Sequence, residues 1–268
     1  AGGNVNLTAG ATINVSGDKA VAVYANGNGQ TINANNGAML TIGDTSFGFI
    51  NEGTGNTVLS NIASQNLSND SVYIFSSDVT GTVVNNTTLN SLGSYNYGIY
   101  SAGSATNNAN INFGTGLGNV GVYSTHGGTI TNSAVITVGG SYIDPSGNTD
   151  NNRYSVGMAA GFTPDAAEIA AGKTPYSGNV VNNGTINVTG EYSIGMYGTD
   201  SGTIVTNAPG AVINLNASNT TGMYLDNGAY GYNYGTIKTN GAGLKNVAGI
   251  VVKNGSTIEN HGLIQLDA

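Results

Sequence analysis

Ser193-Ile194-Gly195-Met196-Tyr197 is one of nine copies of a five-residue phrase that runs from one end of the chain to the other. Upstream stand Ala20-Val21-Ala22-Val23-Tyr24, Ser46-Phe47-Gly48-Phe49-Ile50, Ser71-Val72-Tyr73-Ile74-Phe75, Asn96-Tyr97-Gly98-Ile99-Tyr100, Asn119-Val120-Gly121-Val122-Tyr123 and Ser155-Val156-Gly157-Met158-Ala159. Downstream follow Thr220-Thr221-Gly222-Met223-Tyr224 and Val247-Ala248-Gly249-Ile250-Val251. Their third positions are separated by 26, 25, 25, 23, 36, 38, 27 and 27 residues. A repeat in the range of about 20–50 residues is the mark of stacked structural units.

Within each copy the second and fourth positions are nearly always apolar, and the third is almost always Gly or Ala. Alternation of period two reads as a strand. The second and fourth side chains are expected to face the core, and the third and fifth to face outward. That reading lines up Tyr24, Phe75, Tyr100, Tyr123, Tyr197 and Tyr224 in an outer row. An apolar-x-apolar pair repeats in step, as in Ile13-Asn14-Val15, Leu40-Thr41-Ile42, Ile136-Thr137-Val138, Ile186-Asn187-Val188, Ile213-Asn214-Leu215 and Ile264-Gln265-Leu266, and predicts a second strand. Four residues before it stands Asn36, Asn85, Asn107, Asn132, Asn182, Asn233 or Asn260. Asn suits a turn, and identical Asn side chains stacked at strand spacing can bond to one another. A weaker third strand precedes the asparagine, at Thr129-Ile130-Thr131, Asn179-Val180-Val181, Thr203-Ile204-Val205 and Thr257-Ile258-Glu259.

Three strands and three turns in about 25 residues make one coil of a parallel β-helix, whose apolar face is buried only by its neighbours. The predicted fold is all-β: a right-handed parallel β-helix of about ten coils, roughly 50 Å long at about 4.8 Å per coil. One period crosses all 268 residues, so a single elongated domain is expected.

Composition narrows the function. The chain has 6 Lys+Arg against 14 Asp+Glu, a formal charge of −8, and so lacks the basic footprint that nucleic acid requires. With no cysteine, disulfides and thiolate metal sites are excluded. No apolar run is long enough for a transmembrane helix, so membrane insertion by this segment is not expected. The start shows no signal peptide, and the pattern is still running at Leu266-Asp267-Ala268, which reads as a piece of a longer solenoid. A monomer without cofactor or metal is expected.

The period breaks at two insertions, at about 139–154 and 160–178. They hold three of the four prolines and the single arginine, and they are expected to leave adjacent coils as one raised lobe or two knobs. In the second, Thr163 is expected as N-cap, Pro164 as first helical residue, Asp165 in the first turn and Gly172 as the stop of a short helix. Insertions in a solenoid often build the binding face, although surface loops also accept added length at little cost. The candidate partner-binding residues are Tyr142, Asp144, Asp150, Arg153 and Tyr154 in the first, and Phe162, Asp165, Glu168, Lys173 and Tyr176 in the second. Asp144 and Asp150 share a loop, but other acids fall at turns without common register, and no catalytic pair is expected. The chain is read as non-enzymatic. His126 and His261 precede Gly in turns about five coils apart and are expected to be solvated.

The unit Asn182-Asn183-Gly184-Thr185-Ile186-Asn187-Val188-Thr189-Gly190 followed by Ser193–Tyr197 resembles the passenger repeats of autotransporters, and looks most like the very large RadD-like fusobacterial outer-membrane adhesins of the type V secretion pathway. The resemblance covers nearly the whole chain and its motifs are structural. It implies a bacterial cell-surface location, with a signal peptide upstream and a C-terminal membrane β-barrel downstream. It also implies adhesion to a host-cell receptor or glycan, or to another bacterium. The competing classes are an inert stalk and a polysaccharide-degrading β-helix enzyme.

Overall fold

The structure, a computed structural model, describes residues 3–267. The backbone cycles through three parallel sheets of ten, ten and nine strands, each strand bonded to the equivalent strand one coil away. The protein is a parallel β-solenoid of about ten turns, with a 3-10 turn at Thr149–Asn151 and one helix, Ala166–Ala170, among the described residues. The weak strand ending in Asn forms the first sheet, the apolar-x-apolar strand the second, and the five-residue phrase the third.

Isoleucines of the second sheet (Ile136, Ile186, Ile213, Ile237) and fourth-position residues of the third (Val122, Met158, Met196, Met223) are fully buried and fill the tube. Each such side chain contributes roughly 1.5–3 kcal/mol by leaving water. The expected assignment of the phrase's second and third positions is reversed. Val120, Val156 and Ile194 at the second position lie in a separate cluster outside the tube, under Tyr97, Tyr123, Tyr197 and Tyr224. The third position turns inward beside the fourth. The ladder passes from Val156↔Ile194 to Met158↔Met196 without pairing Gly157 and Gly195, so strict alternation is broken there. A Cβ on Gly195 would stand 2.6 Å from the Gly222 carbonyl oxygen and 2.7 Å from Ile213 Cγ2. Glycine is needed because the bend leaves no room between the next coil's carbonyl in the same sheet and the isoleucine of the second sheet.

Tyr73 is the exception at this position. Its ring is fully buried edge-on to Phe49, and its hydroxyl lies 2.6 Å from the Ser60 hydroxyl. Burial pushes its pKa up to about 12, against the opposing effect of the bonds to Ser60 and Thr87. Because the folded pKa is raised, this contribution to stability is complete below the unfolded value near 10 and is lost as pH rises toward 12. The loss is about 1.4 kcal/mol per pH unit, or roughly 2–3 kcal/mol over that window. Spectrophotometric titration of the phenols should show Tyr73 ionising only with unfolding; a full complement of 15 phenolates at pH 11 with the β-sheet circular dichroism intact would refute this.

The expected asparagine stack exists, with one member exchanged. Asn85, Asn107, Asn132, Asn182, Asn207, Asn233 and Asn260 are linked amide to amide at 2.6–3.0 Å. Asn36 is not in it; Ala34 holds that register, and Ser60 the next. Asn207 stands six residues before Ile213 rather than four, because Ala208-Pro209-Gly210-Ala211 lengthens the turn, as Asn35-Asn36-Gly37-Ala38 does before Leu40.

A second buried polar column lines the corner between the second and third sheets. The Ser71 N–H donates to Asn96 Oδ1 at 3.0 Å, the Asn96 N–H to Asn119 Oδ1 at 2.8 Å, and the Asn119 N–H to Ser155 Oγ at 3.0 Å. These bonds satisfy the N–H groups that the bend takes away from the sheets. Just before the column the backbone is left-handed, at Asp70 (φ 52°), Tyr95 (63°), Gly118 (66°), Tyr192 (60°) and Asn219 (59°).

Candidate functional site

The two insertions leave one coil, not adjacent ones. Asn132 and Asn182 are neighbours in the asparagine stack although 50 residues separate them, and both insertions fall between them. The first spans the corner from the second to the third sheet, the second the corner from the third to the first. They stand as two projections at the two ends of the strand Val156–Ala160. Antiparallel bridges close them separately, Tyr142 with Arg153 and Phe162 with Tyr176.

Outward tyrosines gather beside this coil. Phe75 stacks on Tyr100 at 5.0 Å, Tyr100 meets Tyr123 edge-on at 5.0 Å, and Tyr197 lies 5.9 Å from Tyr224. Ala159, itself buried, interrupts the row between Tyr123 and Tyr197, and the Tyr123 hydroxyl donates to the Gly161 carbonyl at the start of the second insertion. Burial raises the pKa of Tyr97, Tyr100, Tyr123 and Tyr197 above an ordinary phenol, so these rings are neutral at physiological pH.

A groove of about 550 Å³ lies on one side of the first insertion, lined by Asp70, Tyr95, Tyr97, Tyr142 and Arg153. Tyr142 meets Tyr95 edge-on at 6.5 Å. The Arg153 guanidinium donates to the carbonyls of Asp150 and Asn152, which fixes it along its own loop. On the other side a groove of about 520 Å³ is walled by Tyr154, Tyr192, Tyr197 and Tyr224, floored by Val156 and Ile194, and edged by Asp226. A third hollow of about 320 Å³ under the second insertion holds His126, Phe162, Lys173 and Tyr176.

The ten residues singled out in the loops therefore do not form one site. Tyr142 and Arg153 face the first groove, Tyr154 the second, and Phe162, Lys173 and Tyr176 the third hollow. Asp144 is tied to its own loop: Asn151 Nδ2 donates to it at 2.7 Å and the Ser146 N–H at 2.8 Å, and these bonds hold its pKa below the usual carboxylate value. Asp150 stands exposed in the 3-10 turn. Asp165 and Glu168 build the helix start. Asp165, not Thr163, is the N-cap, because Asp165-x-x-Glu168 closes a reciprocal capping box. Thr163 instead bonds the Thr199 hydroxyl at 2.8 Å, Pro164 precedes the helix, and Gly172 follows it at φ 83° as expected. Glu168 also pairs with Lys173 at 2.7 Å, which lowers its pKa and raises that of Lys173.

His126 is exposed as expected, but its ring stacks on Tyr176 at 4.0 Å. Among the described residues no group of three or more His, Asp or Glu is placed to hold a metal ion, and no helix is long and apolar enough to cross a membrane. Sequence reading missed Tyr95, Tyr192 and Asp226 as groove residues. The available signal was their place immediately before the phrase (Tyr95, Tyr192) and two residues after it (Asp226).

Residues 1–235 match the family model of the BigA third pectate lyase-like domain. The chain belongs to this BigA domain family. No curated protein and no solved structure matches it. A BigA-type domain is the β-helix of a bacterial surface protein. The matched stretch of this BigA-type domain includes both insertions and both tyrosine grooves, and the coils beyond residue 235 continue the same asparagine stack through Asn260.

Proposed function

We propose that this domain is a recognition segment of a bacterial adhesin, an autotransporter passenger exported by the type V route and anchored by a C-terminal β-barrel of the parent protein. It attaches the cell to a host-cell receptor or glycan, or to another bacterium. The observation that carries this reading is the convergence of both insertions on one coil, flanked by grooves walled with outward tyrosines. Aromatic rings with one apolar face and one polar edge suit partners that are themselves half wet. A binding role fits better than an enzymatic one: the first groove carries one carboxylate, Asp70, and the second one, Asp226, whereas glycoside hydrolysis uses a pair about 5–10 Å apart.

The test compares the intact segment with a version in which residues 140–154 and 161–177 are each replaced by a short Gly-Ser turn. Attachment to host and bacterial cells should fall at least tenfold while the β-sheet circular dichroism is kept. If the intact segment attaches to neither, the stalk reading replaces this one.

A further inference from the structure

The groove on the far side of the first insertion carries a more specific assignment, which rests on the recognition reading above. We propose that it binds a neutral hexopyranose unit of a glycan. A pyranose has C–H-rich faces and a rim of hydroxyls, and this groove offers the matching pair of surfaces. Tyr197 and Tyr224 stand 5.9 Å apart at 33°, Tyr154 and Tyr192 each remain 45% exposed, and the floor between them is the apolar Ile194. A volume of about 520 Å³ falls in the range of small-ligand sites, which run from roughly 300 to 1,000 Å³.

The polar edge selects the charge class. Asp226 uses Oδ1 to accept from the Asn227 N–H and Asn254 Nδ2, while Oδ2 has no partner among the described residues and can accept sugar hydroxyls. The Lys253 ammonium lies 5.5 Å over the Tyr224 ring and feels the Asp226 charge, so one cation stands against one carboxylate beside the groove. No guanidinium lines this groove to pair with a carboxylate or sulfate; the single arginine faces the other one.

Backbone geometry explains where the Tyr192 ring stands. Tyr192 takes the left-handed conformation (φ 60°) that recurs at this corner in coil after coil, as at Lys19, Thr45, Asp70, Tyr95 and Asn219. The ring so placed walls this groove.

The chain has no tryptophan, so its fluorescence comes from 15 tyrosines, four of which wall this groove. The folded chain is titrated with lactose and cellotriose as neutral probes, and with sialyllactose and a heparin-derived tetrasaccharide as acidic ones. At least one neutral probe should saturate, with both acidic probes at least tenfold weaker. Tyr224→Ala and the loop variant Tyr154→Ala should weaken it at least tenfold, whereas Tyr230→Ala, exposed on the first sheet and outside all three hollows, leaves it unchanged. Tyr192→Gly should weaken it at least fivefold with a melting temperature equal to or above that of the parent, which separates loss of the ring from loss of the fold. Saturation by no neutral sugar, tighter binding of an acidic one, or undiminished binding in Tyr154→Ala and Tyr192→Gly overturns the assignment. Cell attachment that persists in Tyr224→Ala overturns the sugar site alone; an intact segment that attaches to no cell overturns the recognition reading on which it rests.

Discussion

Asn132→Ala is expected to destabilise the solenoid by about 4 kcal/mol. Asn132 sits in the middle of the stack, fully buried. Its oxygen accepts from Asn107 Nδ2 at 2.8 Å and from the Ala134 N–H at 3.3 Å, and its amide donates to Asn182 Oδ1 at 3.0 Å and to the Ala134 carbonyl at 2.9 Å. Alanine removes four bonds at once, each worth roughly 1 kcal/mol net. The coil spacing holds the partners in place, and no water reaches them. Asn260 ends the stack and is exposed, so Asn260→Ala should cost under about 1 kcal/mol because water replaces the lost partner. Urea unfolding of the two variants decides the matter. Equal costs would mean that the stack is a by-product of coil spacing and not a source of stability.

Gly195→Ala should be nearly as damaging, at about 3 kcal/mol or more, through overpacking instead of lost bonding. The added methyl would meet the Gly222 carbonyl oxygen at 2.6 Å and Ile213 Cγ2 at 2.7 Å. The first of these is backbone fixed in the next coil, so no rotamer change relieves it. Gly157 meets the same pair of neighbours, the Gly195 oxygen and Ile186 Cγ2, at 2.6 and 2.7 Å. Gly17→Ala is the control, since its Cβ would find only Ala20 at 3.8 Å, and its effect should stay within about 0.5 kcal/mol. Similar melting temperatures for Gly195→Ala and Gly17→Ala would show that the spacing between neighbouring coils at this bend can open to admit a methyl group.

The two corrections to the phrase and the stack have local causes. Period-two alternation predicts Ile194 and Met196 on one face, but the inward bend at Gly195 puts Ile194 outside and glycine inside. A pattern of apolar residues does not record such a bend, because Ile194 is apolar for a different reason: it underlies the tyrosine cluster. Counting back from the second strand placed Asn36 in the stack and passed over Asn207, because turn length varies by two residues while the ladder register does not.

The candidate site was legible only in outline. The loops that carry Tyr142, Arg153, Tyr154, Phe162 and Tyr176 were located by the broken period, and these five side chains do line grooves. Asp144, Asp165 and Glu168 looked equally available, yet Asp144 closes its own loop and the other two cap the helix. Short-range hydrogen bonding decides which polar side chains remain for a partner.

By itself the sequence determined the solenoid, its coil number, its three strands per coil and its outer tyrosine row, because a repeated contact must be written once in every coil. Only the tertiary structure decided that both insertions belong to one coil, that a groove lies on each side of the first, and that Tyr95 and Tyr192 reach the grooves. Those features depend on what stacking brings together across 25 to 50 residues, and a single coil carries no record of its neighbours.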